Sequence, residues 1–282
     1  MESSKQDPHL SRINAYRKKQ RDSFPPIFDL GSAKKYVDTM GYIFFWPILG
    51  FDYPSLWHAV AGDRPVTYDD PANVTWSWKD QSLSAKIWYY SKLVRKKATF
   101  VSLAVAPFFY ALTDNFGDPD TDHLQQYSDG RMTHAAKNVY EALLAEGPLH
   151  TIDLKKKAKL QSASADSEFN RAMEQLQCDM KVVPVGIAQA GAWRYSFIYD
   201  LVHRQFPEIP NSARTITESC ARAELVRIYL TNVGGVSLQQ ANKFFAWQPH
   251  FIKKTLDQLS ESGFLFVTKI DGKDMVLLKS LI

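Results

Sequence analysis

The chain has 282 residues, of which 45% are hydrophobic and 23% charged, with a formal net charge of +4 and a pI near 8.8. These values describe a globular protein of one to three modules. No apolar run reaches the roughly 18–20 residues of a membrane helix, and the amino terminus lacks the basic–apolar–small pattern of a signal peptide, so no membrane partner is expected.

Two cysteines, Cys178 and Cys220, lie far apart and outside any CxxC or Cys/His spacing. The expectation is therefore no metal site, and two buried free thiols rather than a disulfide, in a cytoplasmic chain. No phosphate-binding, dinucleotide-binding, zinc-protease or nucleophile-elbow motif occurs, so no cofactor is expected.

Residues 1–26 read as a polar, basic arm with Arg17, Lys18, Lys19 and Arg21. Leu10, Ile13 and Tyr16 recur at helical spacing, so this arm is either mobile or a helix docked on the body. Ser32 opens a helix over Ala33 to Met40 that delivers the chain into Tyr42-Ile-Phe-Phe-Trp-Pro47. Each large aromatic carries roughly 150–250 Å² of surface to bury, so this run reads as core; the alternative is that its aromatics stack on an unpaired base or wedge a duplex. A short helix follows from Pro54 to Val60, closed by Gly62, in which His58 reads as a satisfied core or boundary histidine. A longer helix is expected from Trp78 to Lys96, burying Ile87, Tyr90 and Val94. A strand over Ala98–Leu103 and a helix from Pro107 complete an irregular first domain over residues 27–130.

Beyond Asp118-Pro-Asp120 an internal repeat appears. Its first copy, residues 131–210, has a helix over His134–Glu146 and a second helix capped by Thr151. A third helix covers Ala165–Gln177, and two strands, Lys181–Ile187 and Trp193–Tyr199, are joined by the turn at Gln189–Ala192. The second copy, residues 211–282, has a helix over Ser219–Asn232 and a capping-box start at Ser237-Leu-Gln-Gln240. A third helix begins near Pro249, and two strands flank the Asp271-Gly272 turn. The fold class is mainly α with small β-wings: tandem winged helix-turn-helix modules.

Such modules place the third helix in a major groove and the wing on the backbone or minor groove. Candidate DNA contacts are Lys92, Arg95, Lys96 and Lys97; Lys155, Lys156 and Lys157; Arg171 and Arg194; and His250, Lys253, Lys254, Lys269 and Lys273. They are suited to phosphates more than to a base-reading code. The expected partner is double-stranded DNA; the alternative is a winged-helix scaffold for a protein partner.

The stretches Met40–Ile48, Leu56–Arg64 and Val74–Asp80, with the winged helices that follow, resemble the bacterial YcaQ/AlkZ family of DNA glycosylases. That family unhooks interstrand crosslinks and removes bulky alkylated bases. The resemblance implies tandem winged helices curved around duplex DNA, on the nucleoid if the source is bacterial. It also implies a Gln-x-Gln or Gln-x-Asp pair that activates the attacking water, and here that register holds Phe44 and Trp46. Neither can act as a base, because phenylalanine has no polar atom and tryptophan only an N–H donor. The reading is a DNA-binding relative without the family's usual catalysis. The alternative is a divergent glycosylase whose acid/base has moved to Asp52, Asp63 or Asp80.

Overall fold

The computed structural model describes residues 8–115, 117–191 and 193–281; residues 1–7 of the expected arm and Ala192 of the expected turn lie outside them. The chain opens with α1 (Pro8–Asp22), which is docked on the body. Ile13 is buried beside Ile270, Met275 and Leu277, and the Tyr16 hydroxyl donates to the Thr231 carbonyl at 2.6 Å. Arg17 donates to the carbonyls of Val233 and Gly235 at 2.9 and 2.8 Å and pairs with Asp52.

The next segment runs α2 (Leu30–Met40), β1 (Tyr42–Phe44), α3 (Leu56–Ala61), α4 (Val74–Ala85), β2 (Tyr89–Lys92), β3 (Ala98–Val101) and α5 (Ala106–Tyr110). Asp29, not Ser32, caps α2; Ser32 sits at the third helical position and closes a reciprocal capping box with it. Ser55 caps α3, so Pro54 precedes that helix instead of entering its first turn. The expected helix over Trp78–Lys96 is broken. It stops at Ala85, Lys86 is left-handed at φ 51°, and the chain then becomes β2. The aromatic run Trp88-Tyr-Tyr90 suits a pleated surface better than a helix, and Tyr89 and Ser91 alternate inward against β3. The helical spacing of Ile87, Tyr90 and Val94 was coincidental with that alternation.

After α6 (Asp122–Ser128) come α7 (His134–Glu146), β4 (Leu149–His150), α8 (Thr151–Lys157), α9 (Asp166–Cys178), β5 (Val182–Ala188) and β6 (Ser196–Leu201). Thr151 is the first residue of α8 and not its cap; its hydroxyl donates to the Phe197 carbonyl at 3.2 Å. Two short helices, α10 (Val202–Gln205) and α11 (Glu208–Ala213), lead to α12 (Glu218–Val233), β7 (Gly235–Ser237), α13 (Leu238–Phe245), α14 (Pro249–Glu261), β8 (Leu265–Ile270) and β9 (Lys273–Leu278). The Ser237–Gln240 capping box and the hairpin turn at Asp271-Gly272 are both present.

Each of three successive segments thus repeats the order helix, strand, helix, helix, strand, strand. Each sheet is antiparallel, with its first strand added to the last strand of the hairpin: β1-β3-β2, β4-β6-β5 and β7-β9-β8. The protein is mainly α with small antiparallel sheets. Among the described residues no helix is long and apolar enough to cross a membrane.

One core is common to all three segments. Tyr42, Phe44 and Tyr53 from the first meet Val183, Val202 and Phe206 from the second and Tyr229 and Phe244 from the third. Polar atoms fix the seam: the Tyr42 hydroxyl donates to Leu225 O at 2.9 Å, and Asn232 Nδ2 donates to Met40 O at 2.8 Å. Gly234 is where α1 presses closest, since a Cβ on it would stand 2.7 Å from the Tyr16 ring. Both cysteines are free, but Cys178 is only half-buried and Cys220 is exposed in the first turn of α12, correcting the expectation of two buried thiols.

Candidate functional site

The strand β1 brings Phe44 to the position that the resemblance assigns to a catalytic glutamine. Its backbone is held on both sides: Phe44 N donates to Pro54 O at 3.0 Å, and Phe45 N to Ala98 O at 2.9 Å. Strand alternation then sends Tyr42 and Phe44 into the common core and Ile43 and Phe45 into the packing beneath α2 and α4. The Phe44 ring is 1% exposed and packs edge-on against Tyr53 and Phe244, each at 5.9 Å. Trp46, past the end of the strand, turns away into a different cluster. It lies 4.2 Å from the Phe45 ring, 5.2 Å from Trp57 and 6.1 Å from Trp76. The two side chains therefore enter separate cores instead of converging on one point.

Of the three aspartates considered as substitutes, Asp52 and Asp63 share a cleft of about 420 Å³ between α1 and the α2–α3 region. Its floor includes Tyr36, Met40 and Tyr53, and its rim Arg17, Arg21 and His58. Asp52 is engaged by Arg17, whereas Asp63 follows Gly62 in the exposed loop after α3. His58 is exposed on that rim and not a core residue, because α3 turns Leu56, Trp57 and Ala61 inward and leaves position 58 outside.

Asp80 lies elsewhere, where α4 meets the β5–β6 hairpin. Its carboxylate accepts from the Tyr195 hydroxyl at 2.8 Å and from Lys79 Nζ at 2.8 Å, and Lys79 Nζ also donates to the Tyr195 oxygen at 2.6 Å. Lys79 is 1% exposed and sits among aromatic faces, 4.1 Å from the centre of Trp76 and 4.8 Å from that of Phe197. Burial pushes its ammonium pKa down, opposed by the Asp80 carboxylate. Burial and then Asp80 push the Tyr195 phenol up. Tyr195 escaped the sequence reading; the alternation Tyr195, Phe197, Tyr199 along the second hairpin was the available signal.

The basic candidates divide by environment. Lys92 ends β2, and Arg95, Lys96 and Lys97 lie in the turn that joins it to β3; all four are exposed, with Arg95 and Lys96 left-handed at φ 54° and 60°. That turn packs on α9 and α13, and Lys96 pairs with Glu174 of α9 at 2.8 Å. Lys155 and Lys157 are engaged by Asp166 and Glu146 at 2.8 and 2.7 Å, while Lys156 is exposed. Arg171 is exposed on α9, Arg194 at φ 50° in the β5–β6 turn, and His250, Lys253 and Lys254 on α14. Lys269 and Lys273 flank the third hairpin turn, both exposed. The candidates thus occupy a turn, helix faces and hairpins of all three segments.

Residues 27–246, from the chain before α2 to the end of α13, match the family profile described as AlkZ related. No curated protein sequence matches. Among solved structures the fold is similar to that of the Streptomyces sahachiroi DNA glycosylase AlkZ, with a TM-score of 0.61 over 96% of this chain and 70% of that one. At 12% identity that likeness is one of fold. The profile match covers most of the chain, including β1 with Phe44: the protein belongs to the AlkZ-related family.

Proposed function

We propose that the chain is a DNA-binding protein of three tandem winged-helix modules, residues 27–130, 131–210 and 211–282, related to crosslink-repair glycosylases but without their usual hydrolytic chemistry. It would act in the cytoplasm, on the nucleoid in a bacterium. The observation that carries this reading is Phe44. The position that should activate water is a hydrocarbon ring sealed among Tyr53, Phe51 and Phe244, with no polar atom to offer. Support for duplex binding comes from the family, from the named activity of the structural relative, and from exposed cations on α9, α14 and the hairpin turns. Arg171 lies on α9 and Lys253 and Lys254 on α14, the helices that would serve as third helices, and Arg95, Arg194, Lys269 and Lys273 lie in or beside the hairpin turns that would serve as wings.

The second reading, a divergent glycosylase, is favoured by the cleft that joins Asp63 to His58, a carboxylate and an imidazole on one rim. Two measurements decide. Affinity for a dye-labelled duplex should fall steeply as salt rises, because cations that meet phosphates release counterions; no binding at low salt overturns the proposal. Incubation with alkylated duplex should leave no abasic sites, and their formation, abolished by Asp63→Asn, would establish the divergent enzyme.

A further inference from the structure

Leu49 is 100% exposed, at the tip of the loop that follows the motif strand. A lone leucine in water is ordinary; the way this one is held is not. The Phe51 N–H donates to the Ile48 carbonyl at 3.0 Å, and Gly50 has φ +84°, so residues 48–51 form a closed turn of type II character with Leu49 at its second position. Pro47 stiffens the approach. Ile48 and Phe51 on either side are anchored in the common core, the Phe51 ring lying 5.6 Å from that of Phe244. The turn is a fixed mount with one apolar side chain aimed into solvent.

A cation stands beside it. Lys243 of α13 places its Nζ 3.2 Å from the point where a Cβ on Gly50 would be, and 5.2 Å from the centre of the Phe51 ring. The same helix touches the turn that carries Arg95 and Lys96. An isolated apolar tip flanked by positive charge matches a duplex better than an apolar groove on a protein. Proteins that kink DNA insert leucine, isoleucine or phenylalanine between base pairs and offset the cost of unstacking with backbone contacts.

We propose that Leu49 is a wedge that enters the base stack of duplex DNA, with Lys243 gripping the adjoining phosphate. This rests on the DNA-binding reading above. The test uses the full chain and a set of short duplexes, each carrying 2-aminopurine at a different position and a dye at one end. Anisotropy of the dye reports binding, and 2-aminopurine emission reports unstacking. At saturating protein and low salt, at least one duplex should brighten about threefold or more. Leu49→Ala should lose most of that rise with its duplex still saturated, and Lys243→Ala should lower the salt slope by about one. Saturation without brightening at any position, or brightening that Leu49→Ala leaves intact, overturns the wedge and leaves DNA binding standing. No anisotropy change overturns both.

Discussion

The Tyr195 hydroxyl stands 2.6 Å from Lys79 Nζ, and that contact ties the second hairpin to α4 of the first segment. Both groups also bind Asp80, so the three form one polar knot under Trp76 and Phe197. Lys79 is buried, but the Asp80 side chain is a quarter exposed and can take up water when its partner is removed. Lys79→Ala should lower stability by about 1–3 kcal/mol and Tyr195→Phe by about 1 kcal/mol. The double variant should cost less than the sum, as expected for groups in one network. Chemical denaturation of the four proteins checks this, and strict additivity would show that the contacts are independent.

Restoring the family's polar pair should not restore its chemistry. Phe44→Gln puts an amide into a site that is 1% exposed and lined by rings, at a cost of about 3 kcal/mol or more. Even with Trp46→Asp added, the two side chains would start from positions that face different clusters. The double variant should melt well below wild type and release no base from alkylated duplex; detectable abasic sites would contradict the geometry.

The α12–β7 junction controls α1. Gly234→Ala would drive a Cβ into the Tyr16 ring from a backbone already at φ +75°. Either α1 moves off or the junction strains, at about 1–3 kcal/mol. Limited proteolysis should then cut between residues 22 and 27 faster than in wild type, while the body stays intact.

Stability should vary with pH through two groups near the α9–β5 turn. Burial pushes the Lys181 ammonium down from 10.5 to about 8, against the pull of Asp122, Asp179 and Asp114. The unfolded chain therefore holds more protons than the folded one between about pH 8 and 10.5, and stability contributed by this group rises with pH across that window. Burial pushes Asp179 up from 3.8 to about 6, so the folded chain holds more protons between those values and stability falls as pH rises through them. Lys181→Met should remove the alkaline rise and, because the Lys181 ammonium holds the Asp179 carboxyl down, extend the acid fall to higher pH; denaturant titrations from pH 4 to 10.5 read both.

Local signals carried most of the fold. The capping box at Ser237, the Asp271-Gly272 turn and the stripes on α9 and α14 are properties of a few adjacent residues, and they were legible as such. The boundary at Lys86 was not, because helix and strand patterns overlap in Ile87–Tyr90 and only pairing with β3 decides between them. The places of Thr151 and His58 are hidden for a related reason: whether a hydroxyl caps or an imidazole is buried depends on what packs against it. At the motif strand, that Phe44 and Trp46 stand where the resemblance expects polar residues is visible in the order of residues. Their divergence into two clusters was not, nor was the Tyr195–Lys79 contact, which joins residues 116 positions apart.

The common core has a consequence for how the chain can be divided. Tyr53 stacks on Tyr229 at 5.3 Å, and Val183 and Phe206 complete the same cluster. A fragment ending near residue 210 would therefore leave Tyr42, Phe44 and Tyr53 facing water, a hydrophobic wound rather than a finished surface. The first and third segments, which close that cluster from opposite ends of the chain, are therefore coupled in energy and should lose structure together, although the second keeps a core of its own around Val139, Leu154, Phe169 and Leu176.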